Sequence, residues 1–213
     1  MCKNKNFKHL TKSFLLLISF FFGLNANATL LNSDFSLGFD NWQAAVTVFD
    51  GTDDISSSGD LFATYPDSYT TVPDSAILTT NFDAVFNDVW EVVMFQDFQL
   101  DNILMGSSLW LSLDVLTDLT DPLSDFAFAY LKDDMNNILE DLTLGGSFDV
   151  TAYAGDDVSI EFGVLDGDLF LGDTLTVSNI KITEMLAPIN PVPAPATLFL
   201  FVISLCLIKR SRG

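Results

Sequence analysis

A chain of 213 residues, 49% hydrophobic and 13% aromatic, has ample apolar surface for a packed core, which excludes an acidic disordered tail. All 29 acidic residues fall between positions 29 and 187, where Lys132 and Lys181 alone oppose them, so this stretch carries a net charge of about −27. A field of that sign excludes nucleic acid and anionic lipid surfaces as main partners, because both need Lys and Arg to replace their counterions.

Residues 1–28 begin with Lys3, Lys5, Lys8 and Lys12, pass through an apolar run from Phe14 to Leu24, and finish Asn25-Ala26-Asn27-Ala28. Basic start, apolar centre and small-x-small end make a secretory signal peptide the expectation, cut after Ala28. The run is too short to span a bilayer. Cys2 precedes the apolar segment instead of closing it, so it is not a lipoprotein cysteine. Cys206 lies near the opposite end, so the region between holds no cysteine and no disulfide is expected there. The single histidine, His9, is also in the leader, which removes histidine triads and histidine-ligated zinc from the rest.

Residues 29–187 read as one acidic all-β domain. Short apolar or alternating runs recur between clusters of Asp, Gly, Ser and Asn, the pattern of an antiparallel sandwich. The expected strands are Ala44 to Phe49, Ala76 to Phe82, Trp90 to Phe98, Ser108 to Leu116, Phe126 to Leu131, Asn137 to Leu142, Val158 to Val164 and Thr174 to Thr183. Leu109, Leu111, Leu113 and Val115 share one face of their strand, with Trp110, Ser112 and Asp114 on the other. In the last strand Leu175, Val177, Ile180 and Ile182 are the apolar members, and the break of phase at Ser178-Asn179 predicts a bulge. Asp53-Asp54, Asp133-Asp134 and Asp156-Asp157 are expected at turns, where aspartate caps nearby backbone groups.

The segment Leu31-Asn32-Ser33-Asp34-Phe35-Ser36-Leu37-Gly38-Phe39-Asp40-Asn41-Trp42 is similar to the opening of galactose-binding-like jelly rolls. Phe148-Asp149-Val150-Thr151-Ala152-Tyr153-Ala154-Gly155-Asp156-Asp157-Val158-Ser159-Ile160-Glu161-Phe162 resembles the late hairpin of that family, and Asp173 to Ile182 its closing strand. The resemblance implies an antiparallel jelly-roll sandwich. It also implies that Trp42 and Tyr153 are buried or hold a corner, and that Gly155 allows a turn with positive φ.

Many jelly rolls of this kind bind sugars by stacking aromatic rings on pyranose faces, with Asp, Asn or Gln on the hydroxyls. Trp110, with Asp114, is the leading candidate for such a platform, and Trp90, Tyr65 and Tyr69 are weaker ones; the alternative for each is a core role. The family also often holds a structural calcium, for which Asp166, Asp168 and Asp173 are the first candidates and the loop Asp50-Gly51-Thr52-Asp53-Asp54 the second. No carboxylate pair is singled out by spacing, so the chain is expected not to be an enzyme, with a glycosidase as the least favoured function.

At the other end, residues 188–213 carry Val192-Pro193-Ala194-Pro195, an apolar run from Ala196 to Ile208, and Lys209-Arg210-Ser211-Arg212-Gly213. The prolines favour an extended, exposed spacer, and a helical run of that length reaches roughly 20 Å, short of a hydrocarbon core of about 30 Å. The layout resembles the PEP-CTERM sorting signal of Gram-negative bacteria, with alanine where the glutamate usually stands. That resemblance implies an exosortase-type processing enzyme as a partner, transient inner-membrane contact through a hydrophobic tail helix, and a secreted or cell-surface destination; the alternative is a plain tail anchor. Two functions follow as expectations: a glycan- or exopolysaccharide-binding surface protein, and an acidic structural or adhesive protein that associates through calcium without binding sugar.

Overall fold

A computed structural model describes residues 30–83, 87–168 and 170–186, with the side chains of Asp83 and Asn87 excepted. The expected signal peptide, the Val192–Pro195 box and the tail helix lie outside these residues. Among the described residues twelve strands occur in chain order: β1 (Gln43–Phe49), β2 (Asp54–Gly59), β3 (Tyr69–Val72), β4 (Ser75–Thr79), β5 (Asn81–Asp83), β6 (Asn87–Gln99), β7 (Ser108–Asp118), β8 (Phe126–Asp133), β9 (Ile138–Asp141), β10 (Gly146–Asp149), β11 (Asp157–Leu165) and β12 (Thr174–Met185). A single 3₁₀ turn, Thr151–Tyr153, is the helical element among the described residues. Among them no helix is long and apolar enough to cross a membrane.

All pairings are antiparallel. The larger sheet runs β2-β1-β6-β11-β8-β9, with β5 also on β6, and the smaller runs β10-β7-β12-β4-β3. This is the jelly-roll sandwich expected from the sequence. Its core follows from the two-residue period. Val92, Met94 and Phe98 of β6 and Val158, Ile160, Phe162 and Val164 of β11 meet Leu109, Leu111 and Leu113 of β7 and Leu175, Val177 and Ile180 of β12.

The irregularities have local causes. The register of β12 against β7 shifts between Ser178 and Lys181, and Asn179 takes a φ of 56°, so the predicted bulge is present. The predicted strand Ala76 to Phe82 breaks at Thr80, where the chain leaves the smaller sheet for the larger. Thr80 is buried; its N–H donates to the Asp173 carbonyl (3.0 Å) and its Oγ1 accepts from Asp173 N (3.1 Å), pinning the crossover. Asp54, expected in a turn, instead opens β2, paired with Phe49.

The opening segment is held by Asn32 and Gln96. Asn32 Nδ2 donates to the carbonyls of Gly38 (2.8 Å) and Asp40 (3.1 Å), while its own carbonyl accepts from Trp42 Nε1 (3.2 Å). Gln96, buried on the inner face of β6, accepts from Leu31 N (2.7 Å) and donates to the carbonyls of Leu31 and Asn41 (3.0 Å each). Trp42 is buried and stacks on Phe35 with centroids 5.3 Å apart. Tyr153 is half-buried, its hydroxyl donating to the Leu139 carbonyl (3.2 Å), and Gly155 has a φ of 88°. The structural roles implied for these three residues are therefore met.

Candidate functional site

The residues that alternate with the core on the larger sheet form its outer face. Register places Ser58, Ala45, Val93, Gly163 and Phe128 side by side across five strands. The next row is Gln43, Phe95, Glu161 and Tyr130, and the one beyond it Asp97, Ser159 and Lys132. A groove of about 920 Å³ crosses this face, within the range of ligand sites. Ala45, Val93 and Phe95 line its floor, Ser56 to Ser58 of β2 one side, and Asp133, Asp134 and Asn136 of the β8–β9 turn the other.

Each wall is fixed by hydrogen bonds. Thr47 points outward yet is buried, because its hydroxyl meets Ser56 Oγ (3.0 Å) and donates to Glu91 Oε2 (2.5 Å), tying β2 and β6 to β1. The turn after β8 is organised by Asp133. Its Oδ1 accepts from Met135 N (2.9 Å) and Asn137 N (2.8 Å), its Oδ2 from Asn137 Nδ2 (2.8 Å), and these bonds, Asn137's side-chain one foremost, hold its carboxyl below the usual aspartate range. Lys132 pairs with Glu161 at 2.6 Å and sits 5.8 Å from the centroid of Tyr130. Tyr130 in turn stacks with Phe128 at 5.1 Å, and Phe128 lies where a Cβ on Gly163 would stand, 2.2 Å from its Cζ. Glycine at 163 is what lets this ring lie across β11. The face thus offers aromatic surface, hydroxyls and carboxylates together.

Trp110 lies on the outer face of the smaller sheet, between Asp149 of β10 and Thr183 of β12, half-buried with Nε1 donating to Ser108 Oγ (3.0 Å). Asp114 is exposed on the same face and accepts from Asn179 Nδ2 (2.6 Å). Trp90 belongs to the larger sheet, beside the register shift at Thr47/Val48, with Nε1 donating to Asp54 Oδ1 (3.1 Å). The structure therefore does not bring the three together. Tyr65 and Tyr69 are core residues. Phe95, Tyr130 and the serines of β2 were missed; the outward parity of Phe95 between Val93 and Asp97 is the signal that could have found it.

A second cluster sits where the turn after β7 meets the segment before β12. Asp125, Asp166 and Asp173 are buried, and one carboxylate oxygen from each lies within 4.8 Å of the others. Asp125 Oδ2 accepts from Asp121 N (2.6 Å) and Thr120 Oγ1 (3.1 Å), and its Oδ1 from Gly167 N (3.1 Å). Burial pushes the Asp125 carboxyl up, but these bonds and one shared with Asp173 outweigh it and leave it low. Asp173 accepts from Thr120 N (2.7 Å) and Thr120 Oγ1 (3.0 Å), yet burial, aided by the charges of Asp125 and Asp166, raises its pKa. The ion pair among the described residues is Lys132–Glu161, so no lysine neutralises this cluster. A hard cation with oxygen ligands fits it. Of the three aspartates expected from the sequence, Asp166 and Asp173 are here. Asp168 turns away, accepting from Phe170 N (2.9 Å) and Ser124 Oγ (3.4 Å), and Asp125 takes its place. Asp50 caps its own turn by accepting from Thr52 N and Asp53 N, both at 2.9 Å.

No protein-family model matches the chain, and no curated protein matches it in sequence. Among solved structures, it is similar to the enzymatically active domain of bacteriophage CBA120 tailspike protein 4, at 13% identity and a TM-score of 0.37. The match covers 74% of this chain and 21% of that one, so the chain spans about a fifth of that structure's length. One expectation is corrected by that finding: the sequence points away from catalysis, whereas a solved domain similar to this chain is enzymatically active, and the exclusion of an enzyme does not stand. At this level the likeness assigns no reaction and no residue.

Proposed function

We propose that the chain is an exported surface or matrix protein whose sandwich binds a glycan in the groove on the outer face of its larger sheet. The observation that carries this reading is the groove itself: an open trough with half-buried Phe95 in its floor, hydroxyls along one side and carboxylates along the other. The apolar faces of pyranose rings pack on such a floor, and ring hydroxyls exchange hydrogen bonds with such walls. Export rests on residues 1–28 and sorting on residues 192–213, with an exosortase-type enzyme acting near Val192–Pro195 and a passing inner-membrane contact before it.

Binding of the full chain to exopolysaccharide, read by pull-down or glycan array, tests the site. Phe95→Ala is expected to weaken binding at least tenfold, equivalent to about 1.4 kcal/mol, while Trp110→Ala leaves it unchanged. The reverse result would move the site to the smaller sheet.

The buried carboxylates favour a second element of the reading, a structural calcium held by Asp125, Asp166 and Asp173 that braces the end of the sandwich. In the alternative function, an acidic adhesive protein without sugar binding, further calcium ions bridging the exposed carboxylates would connect the domain to its surroundings.

A further inference from the structure

The charges around the groove are one-sided. Glu91, Asp97, Asp134, Asp157 and Glu161 line it, and Asp133 stands in its wall. The nearest cation, Lys132, is already engaged by Glu161 at 2.6 Å, which leaves the other carboxylates without an opposing charge among the described residues. Asp97, Asp134 and Asp157 are exposed, and none of the three accepts a side-chain hydrogen bond from a described residue. Their positions are set by the sheet: Asp97 faces Ser159 across β6 and β11, and Asp157 faces Gln99. A concave surface with a low-dielectric floor concentrates the field of such charges, so the potential is strongest where a polymer would lie.

We infer, resting on the glycan reading of this groove, that its preferred polymer is cationic: an amino-sugar chain carrying free ammonium groups. An ammonium donates three hydrogen bonds and has no acceptor, which suits carboxylates with open lone pairs. A uronate chain would place its own carboxylates against Asp97 and Asp157 and is rejected by the same field.

The test uses the full chain and three oligosaccharides of equal length: de-N-acetylated chitin, N-acetylated chitin and polygalacturonate. At low ionic strength the de-N-acetylated oligomer is expected to bind at least tenfold more tightly than the N-acetylated one, with polygalacturonate not retained, and the difference should shrink as salt is added. Asp97→Asn with Asp157→Asn should erase the preference, while Asp114→Asn with Asp118→Asn, the same charge change on the smaller sheet, should keep it. Equal loss from both pairs would assign the effect to the net charge of the whole protein and overturn the inference. So would equal affinity for the two chitin oligomers; if that binding still depends on Phe95, the groove remains a glycan site and its charge preference alone is lost. Retention of neither chitin oligomer overturns the inference, and retention that is indifferent to Phe95→Ala overturns the groove reading instead. Melting temperatures of both double variants within about 3 °C of the parent, roughly 1 kcal/mol, confirm that folding is not what changed.

Discussion

Gly163 and Gly167 owe their places to what a side chain there would strike. A Cβ at 163 would lie 2.2 Å from Phe128 Cζ, and one at 167 would lie 2.2 Å from the Ser124 carbonyl oxygen. A ring at the open face of a sheet can swing away, whereas a backbone carbonyl moves only with its turn. Gly167→Ala is therefore expected to displace residues 166–168, break the bond from Gly167 N to Asp125, and cost about 1–3 kcal/mol. In a chain of this size that lowers the melting temperature by about 3–10 °C. Gly163→Ala should lower it less. Thermal melts of the two variants decide the point; an equal or larger drop for Gly163→Ala would mean that Phe128 is as fixed as backbone. Neither requirement can be read from the sequence, because each is imposed by a residue on another strand or loop.

Among the elements, β3 is held partly by one hydroxyl. Tyr69 belongs to the smaller sheet, but its hydroxyl reaches the carbonyls of Val93 (2.8 Å) and Ala45 (2.9 Å) on the larger one. Burial pushes this phenol's pKa up, so it stays a donor across the working range of pH. Tyr69→Phe keeps the ring contacts with Phe39 and Phe62 and removes the link. A loss of about 1–3 kcal/mol is expected, the cost of leaving buried acceptors without their donor. Urea unfolding at constant slope measures it, and a change below about 0.5 kcal/mol would show that the carbonyls find other donors.

The elements also show what the sequence could and could not convey. The leucines of β7 and the bulge of β12 were legible because one face of each strand is core, so apolar residues mark every second position. The opening segment and the turn at Gly155 were legible through residues whose roles are local. By contrast β2, Asp-Ile-Ser-Ser-Ser-Gly, is exposed along nearly its whole length at the edge of its sheet, so no alternation betrays it. The groove was illegible for a related reason: it is assembled from the outward residues of five strands whose order the chain does not follow. Asp125 was missed because its partners, Asp166 and Asp173, lie far along the chain and are brought to it only when the β7–β8 turn packs against the segment before β12.

For the whole molecule, the charge of about −27 between residues 29 and 187 opposes folding by self-repulsion, and added salt of any kind relieves it. The proposed calcium site predicts something salt alone does not. Asp125, Asp166 and Asp173 sit in the interior, where bulk ions screen poorly, and burial, with smaller contributions from the charges of Asp125 and Asp166, raises the pKa of Asp173. A divalent cation bound by all three would stabilise the folded state by RT ln(1 + [L]/Kd), about 2.7 kcal/mol at a hundredfold excess over Kd. That corresponds to a rise in melting temperature of about 5–10 °C. Calcium should produce this rise and a chelator should reverse it, while sodium chloride at matched ionic strength gives only the smaller screening effect. Asp125→Asn should abolish the calcium response and leave the sodium response intact, since it removes one ligand charge from the cluster but barely alters the net charge. A parent protein whose melting is indifferent to added calcium and to chelator, or an Asp125→Asn variant that keeps the full calcium shift, would leave this cluster without an ion. The end of the sandwich would then be held by the hydrogen bonds that these aspartates share with Thr120, Asp121, Gly167 and Thr80.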